Sequence, residues 1–151
     1  MTARVFLGFD YGQKFIGVAV GSTHSGTAQA LATVRVSAQK TPDWDHISRL
    51  VTQWRPTEFV VGLPLNMDGT PQAMTRAART FGERLRDRYN LPVHMVDERL
   101  TTQIAKDVLY AEGVPGTRQK SRLDEVAAQT ILQAFLNTMD ADNDGNDAPG
   151  N

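Results

Sequence analysis

The start of the chain most constrains its fold, because three short apolar segments follow one another there. They are "RVFLGF" at 4–9, "IGVAVG" at 16–21 and "LATVRV" at 31–36. Each has the length and composition of a buried β-strand. Parallel strands need a long crossover, usually a helix, and the links between these segments are too short to supply one. The three segments are therefore predicted to form an antiparallel meander.

The rest of the chain alternates between helical and strand-like patterns. Apolar residues at helical spacing predict four helices, at 42–54, 71–89, 101–112 and 121–139. Two further apolar segments, at 58–62 and 92–96, predict strands. Strands joined through a helix lie parallel to each other. The expected fold is therefore α/β, with a mixed five-stranded sheet flanked by helices.

The charge distribution divides the chain into a body and a tail. The last twelve residues contain four Asp and no Lys or Arg. The remainder holds 16 basic residues against 17 − 4 = 13 acidic ones, a net charge of +3. Residues 1–139 are predicted to form one domain, and residues 140–151 a disordered acidic tail. The small basic excess permits a nucleic-acid partner but does not require one.

Composition excludes several kinds of site. The chain has no cysteine, which excludes disulfides and cysteine-ligated zinc, and its three histidines lack the spacing of a metal site or a catalytic triad. No apolar run approaches the roughly 20 residues that a membrane span needs, and the N-terminus lacks the pattern of a signal peptide. A cytoplasmic protein with no membrane partner is expected.

Four acidic residues fall at or near one predicted edge of the sheet. Asp10 follows the first strand, Asp97 and Glu98 follow the last strand, and Asp124 lies near the start of the last helix. Ligands of open α/β sheets gather at the carboxyl ends of the parallel strands. If the first, fourth and fifth strands are neighbours, these acids converge at that edge.

Each acid also has a purely structural explanation. Asp10 could cap its own turn, Glu98 could pair with Arg99, and Asp124 could complete a capping box with Ser121. A cluster of carboxylates, by contrast, repels itself unless a cation holds it together. Mg²⁺ or Mn²⁺ is the natural occupant of an oxygen-only site. Two such ions, roughly 4 Å apart, can activate water and stabilise the leaving oxygen of a phosphodiester.

Four ordered motifs resemble those of the YqgF/RuvX family: "GFDYGQKFIGVAVG", "VVGLPLNMDGT", "VDERLTT" and "SRLDEVAAQTILQAFL". The resemblance covers residues 4–137, nearly the whole body, and four motifs in order are far more specific than any one of them. Members look like nucleases of the RNase H-like fold. They are described as candidate Holliday-junction resolvases and as candidate nucleases that mature the 5′ end of 16S rRNA.

The resemblance implies roles for particular residues. Asp10, Glu98 and Asp124 are implied to perform catalysis and to bind two Mg²⁺ or Mn²⁺ ions. Asp97, next to Glu98, could replace or assist it. Five residues are predicted to contact substrate: Lys14, Asn66, Arg76, Arg79 and Arg99. Asp68 belongs to the same "LPLNMDG" loop as Asn66, and the resemblance implies a supporting role for this loop.

The first motif also carries two glycines and one departure from the family pattern. Gly12 and Gly17 are predicted to keep bulk away from Asp10, so that a nucleic-acid backbone can approach. Lys14 is predicted to face phosphate. Many family members have Arg after this lysine, whereas this chain has Phe15.

The expected function is therefore a metal-dependent nuclease in 5′-end maturation of 16S rRNA. Two alternatives stay open, a Holliday-junction resolvase and a non-catalytic RNA- or ribosome-binding module. The first motif is also similar to the phosphate loop of actin-like ATPases and sugar kinases, but those need two related domains. The expected partners are precursor rRNA, branched DNA as an alternative, and a ribosomal particle. The apolar stripes of the predicted helices are all needed by the sheet, so a monomer or weak homodimer is expected.

Overall fold

A computed structural model describes the backbone of residues 3–99 and 116–146, and the side chains of residues 3–99 and 123–139. The predicted helix at 101–112 lies outside the described residues. The elements in chain order are β1 (Val5–Tyr11), β2 (Phe15–Ser22), β3 (Ala28–Arg35), α1 (Trp44–Trp54), β4 (Glu58–Leu63), α2 (Ala73–Tyr89), β5 (Val93–Asp97) and α3 (Gly116–Asn146).

The five strands form one mixed sheet in the order β3-β2-β1-β4-β5. The first three pair antiparallel, and β1, β4 and β5 are parallel neighbours. The predicted mixed five-stranded sheet is confirmed, and the condition for the acids to converge is met, because the first, fourth and fifth strands lie side by side. None of the helices within the described residues has the length and apolar content to cross a lipid bilayer.

The two faces of the sheet bury different side chains. Phe9 and Phe59 face α1 and α2, where Phe81 of α2 packs edge-on against Phe9 with ring centroids 5.4 Å apart. The opposite face carries Phe6 and receives Leu132 of α3. Successive residues of β1 alternate between these faces because side chains of a strand alternate. Asp10 therefore lies on the α3 face.

Helix α3 is longer than the predicted helix at 121–139, because it begins at Gly116 and ends at Asn146. Its backbone extends into the segment predicted to be a disordered tail. The division into a nuclease domain at 1–139 and an acidic tail at 140–151 stays a prediction.

An ion-pair cluster holds the other end of the sheet, away from the acids. Arg4 donates two hydrogen bonds to the Glu58 carboxylate at 2.6 and 2.7 Å, and His94 Nε2 lies 2.7 Å from the same group. These hydrogen bonds, above all those from Arg4, outweigh burial and lower the pKa of Glu58 to about 2.

The pKa of Glu58 predicts a specific acid sensitivity. A carboxyl whose pKa is lowered by folding stabilises the fold above its unfolded value of 4.5, and that stability is lost as the pH falls towards about 2. Because Arg4 is half-exposed and screened by solvent, we expect this carboxyl to contribute about 2 kcal/mol to the free energy of unfolding at neutral pH. Urea unfolding of Glu58→Gln should therefore show lower stability at pH 7 and a flatter profile between pH 4.5 and 2. Glu83→Gln, on an exposed site of α2, is the control. Parallel profiles for wild type and Glu58→Gln would contradict the assignment.

Candidate active site

Asp10 lies on β1 between two strand positions that have no side chain. It pairs with Gly17 of the antiparallel neighbour β2. On its other side, Phe9 pairs with Val61 of β4, so Gly62 follows next to Asp10. The Asp10 carboxyl is thus flanked by bare backbone on both neighbouring strands, which leaves space that other groups of the protein occupy.

Glu98 occupies the space above Gly62. A Cβ atom added to Gly62 would lie 2.3 Å from Glu98 Oε2 and 2.6 Å from Ile131 Cδ1. The Glu98 carboxyl therefore lies on the sheet surface, and it shares a hydrogen bond with Asp10. An alanine at position 62 would displace it.

Asp124 reaches the same place from α3. A Cβ atom added to Gly17 would lie only 1.8 Å from the backbone carbonyl oxygen of Asp124. Gly17 is therefore required for the close approach of α3 to β2. This corrects the expectation that Gly17 makes room for nucleic acid, because the protein's own helix fills that space. Gly12 likewise serves the hairpin turn, since its Cβ would lie 2.5 Å from the Phe15 carbonyl oxygen.

The three acids influence one another electrostatically. Burial raises the pKa of Asp10 well above its usual range, and the charge of Glu98, the hydrogen bond with Glu98 and the charge of Asp124 raise it further. Burial also raises the pKa of Glu98, and the neighbouring charge of Asp97 acts in the same direction, while the hydrogen bond with Asp10 opposes the shift. Carboxyls that shift each other in this way are typical of functional sites.

Asp97 belongs to a different environment from Glu98. It is exposed and forms an ion pair with Arg99, whose Nη2 lies 2.6 Å from its Oδ2. The Arg99 backbone N–H donates a further hydrogen bond to Asp97 Oδ1 at 3.0 Å. Of the two adjacent acids, the structure brings Glu98 to Asp10 and engages Asp97 with Arg99.

Arg99 also fixes the loop that follows β4. Its Nη1 donates to the Met67 carbonyl oxygen at 3.2 Å. Within the loop, Asn66 Nδ2 donates to Thr70 Oγ1 at 3.0 Å and to the Pro71 carbonyl oxygen at 3.1 Å. Both amide hydrogens of Asn66 are thereby used inside the loop. If Asn66 contacts substrate as predicted, it would do so through its Oδ1 atom.

Asp68 and Gln72 complete the organisation of this loop. Asp68 accepts hydrogen bonds from the Thr70 backbone N–H and hydroxyl, which lower the pKa of Asp68. Helix α2 begins after Gln72, which forms a capping box with Thr75. The Thr75 hydroxyl in turn donates to the Pro64 carbonyl oxygen. The loop is therefore tied to β5 and to α2 at defined points.

An open cavity of about 410 Å³ lies beside the acids. Glu98 and Arg99 line it together with Gln13 from the β1–β2 turn and Gln72 from the start of α2. Tyr11 forms another part of its wall. Pro64, Leu65 and Met74 give the rest of the wall an apolar surface. One member of the acid cluster is thus accessible from an open depression with both polar and apolar walls.

The other residues predicted to bind substrate lie farther along the surface. Lys14 is exposed on the β1–β2 turn, and Arg76 and Arg79 are exposed on α2. Arg76 lines a second cavity, which Tyr11 also lines, whereas Arg79 lines neither of the two. Sequence reasoning missed Tyr11, although its position directly after Asp10 could have indicated it.

The acids fit a hard divalent cation by donor type. In the part of the chain that the structure describes, no three His, Cys, Asp or Glu side chains form a ready-made metal cage. Asp10, Glu98 and Asp124 nevertheless supply only oxygen donors, which Mg²⁺ and Mn²⁺ prefer. They also cluster over Gly17 and Gly62, whose lack of side chains lets Asp124 and Glu98 lie close to the sheet.

Two solved structures that share this fold are of proteins that bind or resolve Holliday junctions. RuvC from T. thermophilus, in complex with Holliday junction substrate, matches with a TM-score of 0.52 at 18% identity, over 90% of this chain and 96% of that one. The fowlpox virus Holliday junction resolvase also matches with a TM-score of 0.52, at 14% identity, over 89% and 99% of the two chains. The fold is the RNase H-like fold of these resolvases.

The sequence defines the family within this class. A family model described as "RuvX: Holliday junction resolvase" matches residues 4–138, and the chain belongs to this family. A relative from Pseudomonas putida is 48% identical over 134 residues, which is 88% of this chain and 94% of the relative. One from Aeromonas hydrophila is 46% identical over 136 residues, or 90% and 96% of the two chains. Both carry the name "Putative pre-16S rRNA nuclease".

Proposed function

We propose that this protein is a metal-dependent nuclease that hydrolyses phosphodiester bonds during 5′-end maturation of 16S rRNA. The observation that carries the proposal is the cluster of Asp10, Glu98 and Asp124, which reaches one sheet edge from β1, the end of β5 and α3. The names of the relatives and the membership of the family support the same activity.

The three acids would hold two Mg²⁺ or Mn²⁺ ions, which would activate water and stabilise the leaving oxygen. The protein contributes rigidity to this site. Asp10 belongs to a central strand, and the glycines on both sides fix where Glu98 and Asp124 can lie. Arg99 positions the neighbouring loop through Asp97 and the Met67 carbonyl oxygen. All five predicted contacts to substrate stay proposals: Lys14, Asn66, Arg76, Arg79 and Arg99.

The names of the relatives favour RNA as the substrate. Precursor 16S rRNA, free or within a ribosomal particle, is therefore the proposed partner, and the cytoplasm is the proposed location. A Holliday-junction resolvase is the second candidate, because the family description names that activity and two resolvases share the fold. A resolvase needs two active sites in a two-fold dimer, whereas we expect a monomer or a weak homodimer.

Cleavage of precursor 16S rRNA and of a four-way DNA junction, measured side by side with Mg²⁺ and with Mn²⁺, tests the proposal. We expect cuts near the 5′ end of the 16S sequence and little cutting of the junction. Sedimentation at the same protein concentration reports the oligomeric state. A stable dimer that makes paired, symmetric nicks in the junction and leaves the rRNA uncut would establish the resolvase instead. RNA binding without cleavage under both metals would indicate a binding module.

A further inference from the structure

A second open cavity, of about 360 Å³, lies between α2 and the segment that precedes α1. Tyr11 lines this cavity as well as the one beside Glu98. The two depressions therefore share one wall at the end of β1, directly after Asp10. A ligand that occupied both would extend from the acids to the surface of α2.

The floor of this second cavity is apolar and aromatic. The half-buried ring of Tyr11 lies against the ring of Phe81, with centroids 5.0 Å apart and planes inclined by 35°. Phe81 itself is buried in the core, so Tyr11 supplies the accessible ring. Ala77 and Pro42 complete the apolar lining. Such a floor suits the flat face of a nucleobase, since every base has a π-face that packs on aromatic side chains.

The rim of the cavity is positively charged. Lys40, Arg76 and Arg84 line it, and no Asp or Glu does so. Within the described residues, none of these three side chains takes part in an ion pair. Other cations of the same region are engaged, because Arg88 lies over the Trp44 ring at 4.3 Å and Arg86 pairs with a carboxylate. The three rim cations are available to an anionic ligand.

Lys40 occupies a backbone conformation that glycine prefers. Its φ angle is +64°, in the left-handed region that non-glycine residues rarely adopt. The turn is held by a hydrogen bond from the Lys40 N–H to the Ser37 carbonyl oxygen and by one from the Ser37 N–H to the Thr41 carbonyl oxygen, both 2.9 Å. Backbone in such a conformation clusters at functional sites, which makes the side chain of Lys40 a candidate for one. Here that side chain contributes to the charged rim.

We propose that this second cavity, which we call the α2 groove, binds the unpaired strand that leads to the acids. The phosphates would contact Lys40, Arg76 and Arg84, and a base would lie against Tyr11. The strand must be unpaired because a base within a duplex cannot present its face to the floor of the groove. This inference rests on the proposed function and adds two cations, Lys40 and Arg84, and an aromatic floor to the substrate path.

Binding of a labelled single-stranded RNA in the presence of EDTA, which prevents cleavage, tests the α2 groove. The variants are Lys40→Gly, Arg76→Gln and Arg84→Gln, and the matched control is Arg86→Gln, which removes the same charge from another face of α2. Each groove variant should weaken binding about threefold to tenfold and lower the slope of log K against log salt by about 0.7. Lys40→Gly should leave the melting temperature unchanged or raised, because glycine fits the positive φ.

The same RNA annealed to its complement supplies the second arm. Duplex binding should depend much less on Lys40 and Arg84 than single-strand binding does. Groove variants that behave like Arg86→Gln, or that weaken duplex and single strand equally, would overturn the α2 groove. Wild type that binds through these cations but cuts no substrate would refute the proposed nuclease while leaving the groove intact. Cleavage and binding that are both insensitive to the three variants would refute only the groove.

Discussion

Asp10→Asn is expected to abolish metal-dependent cleavage while the protein stays folded. The substitution keeps the size of the side chain and its ability to hydrogen-bond to Glu98, but it removes the central charge that would hold a cation. Metal ions stabilise the transition state of phosphodiester hydrolysis by several kcal/mol, so the rate should fall by about three orders of magnitude or more. Single-turnover cleavage of precursor 16S rRNA with each metal measures the loss.

The control for this variant is Asp87→Asn, which removes an exposed carboxylate from α2. It should cut at the wild-type rate. Circular dichroism and the melting temperature of both variants report whether the fold is retained. Wild-type cleavage by Asp10→Asn with either metal would remove Asp10 from the catalytic machinery.

Gly17→Ala is expected to have the largest effect on stability. Its new methyl group would lie 1.8 Å from the Asp124 carbonyl oxygen and 2.3 Å from the carbonyl carbon. Backbone cannot move aside as a flexible side chain can, so α3 must shift from the sheet. We expect a loss of about 3 kcal/mol in the free energy of unfolding, at the upper end of overpacking effects, together with loss of cleavage. Urea unfolding measures the first quantity.

Gly82→Ala provides the matched control, because it makes the same change at a buried glycine of α2. Its methyl group would lie 3.1 Å from Met95 Sδ, a flexible neighbour, and 3.3 Å from Val93 Cγ1, and both distances are far longer than those at Gly17. Alanine also gains about 1 kcal/mol of helix propensity over glycine, which offsets the tighter contact. Gly82→Ala should therefore be close to wild type in stability. Equal stability of the two alanine variants would contradict the close packing of α3 on β2.

The sheet could be predicted from the sequence because its signals are local. The apolar segments and their short links determined the antiparallel β1–β2–β3 unit, and the helical patterns determined the parallel pairs. The edge where Asp10 meets Glu98 followed from this order alone. The end of α3 at Asn146 did not follow, because the change of composition after 139 predicts a tail and does not by itself end a helix.

The sequence also contains a pattern that distinguishes Asp97 from Glu98. Side chains of a strand alternate between faces. Val96 packs on the α3 side and Met95 on the α2 side, so Asp97 follows Met95 and Glu98 follows Val96. Extending that alternation past the strand end would have assigned Glu98 to the face of Asp10.

Contacts between distant segments could not be predicted. The role of Gly17 depends on Asp124, more than a hundred residues away, and that of Gly62 depends on Glu98 and Ile131. The α2 groove likewise joins Lys40, Tyr11 and α2, which no sequence motif connects. Such positions depend on the packing of segments that are distant in sequence, and local patterns and charge carry no information about that packing.

The cleavage rate of Glu98→Gln compared with that of Asp97→Asn, on precursor 16S rRNA at saturating Mg²⁺, tests the acid cluster most directly. The two variants remove one charge each from adjacent residues, and only Glu98 shares a hydrogen bond with Asp10. We predict that Glu98→Gln loses cleavage by about three orders of magnitude, whereas Asp97→Asn, which only frees Arg99, stays within about tenfold of wild type. An active Glu98→Gln beside an inactive Asp97→Asn would show that the catalytic site is not the cluster of Asp10, Glu98 and Asp124.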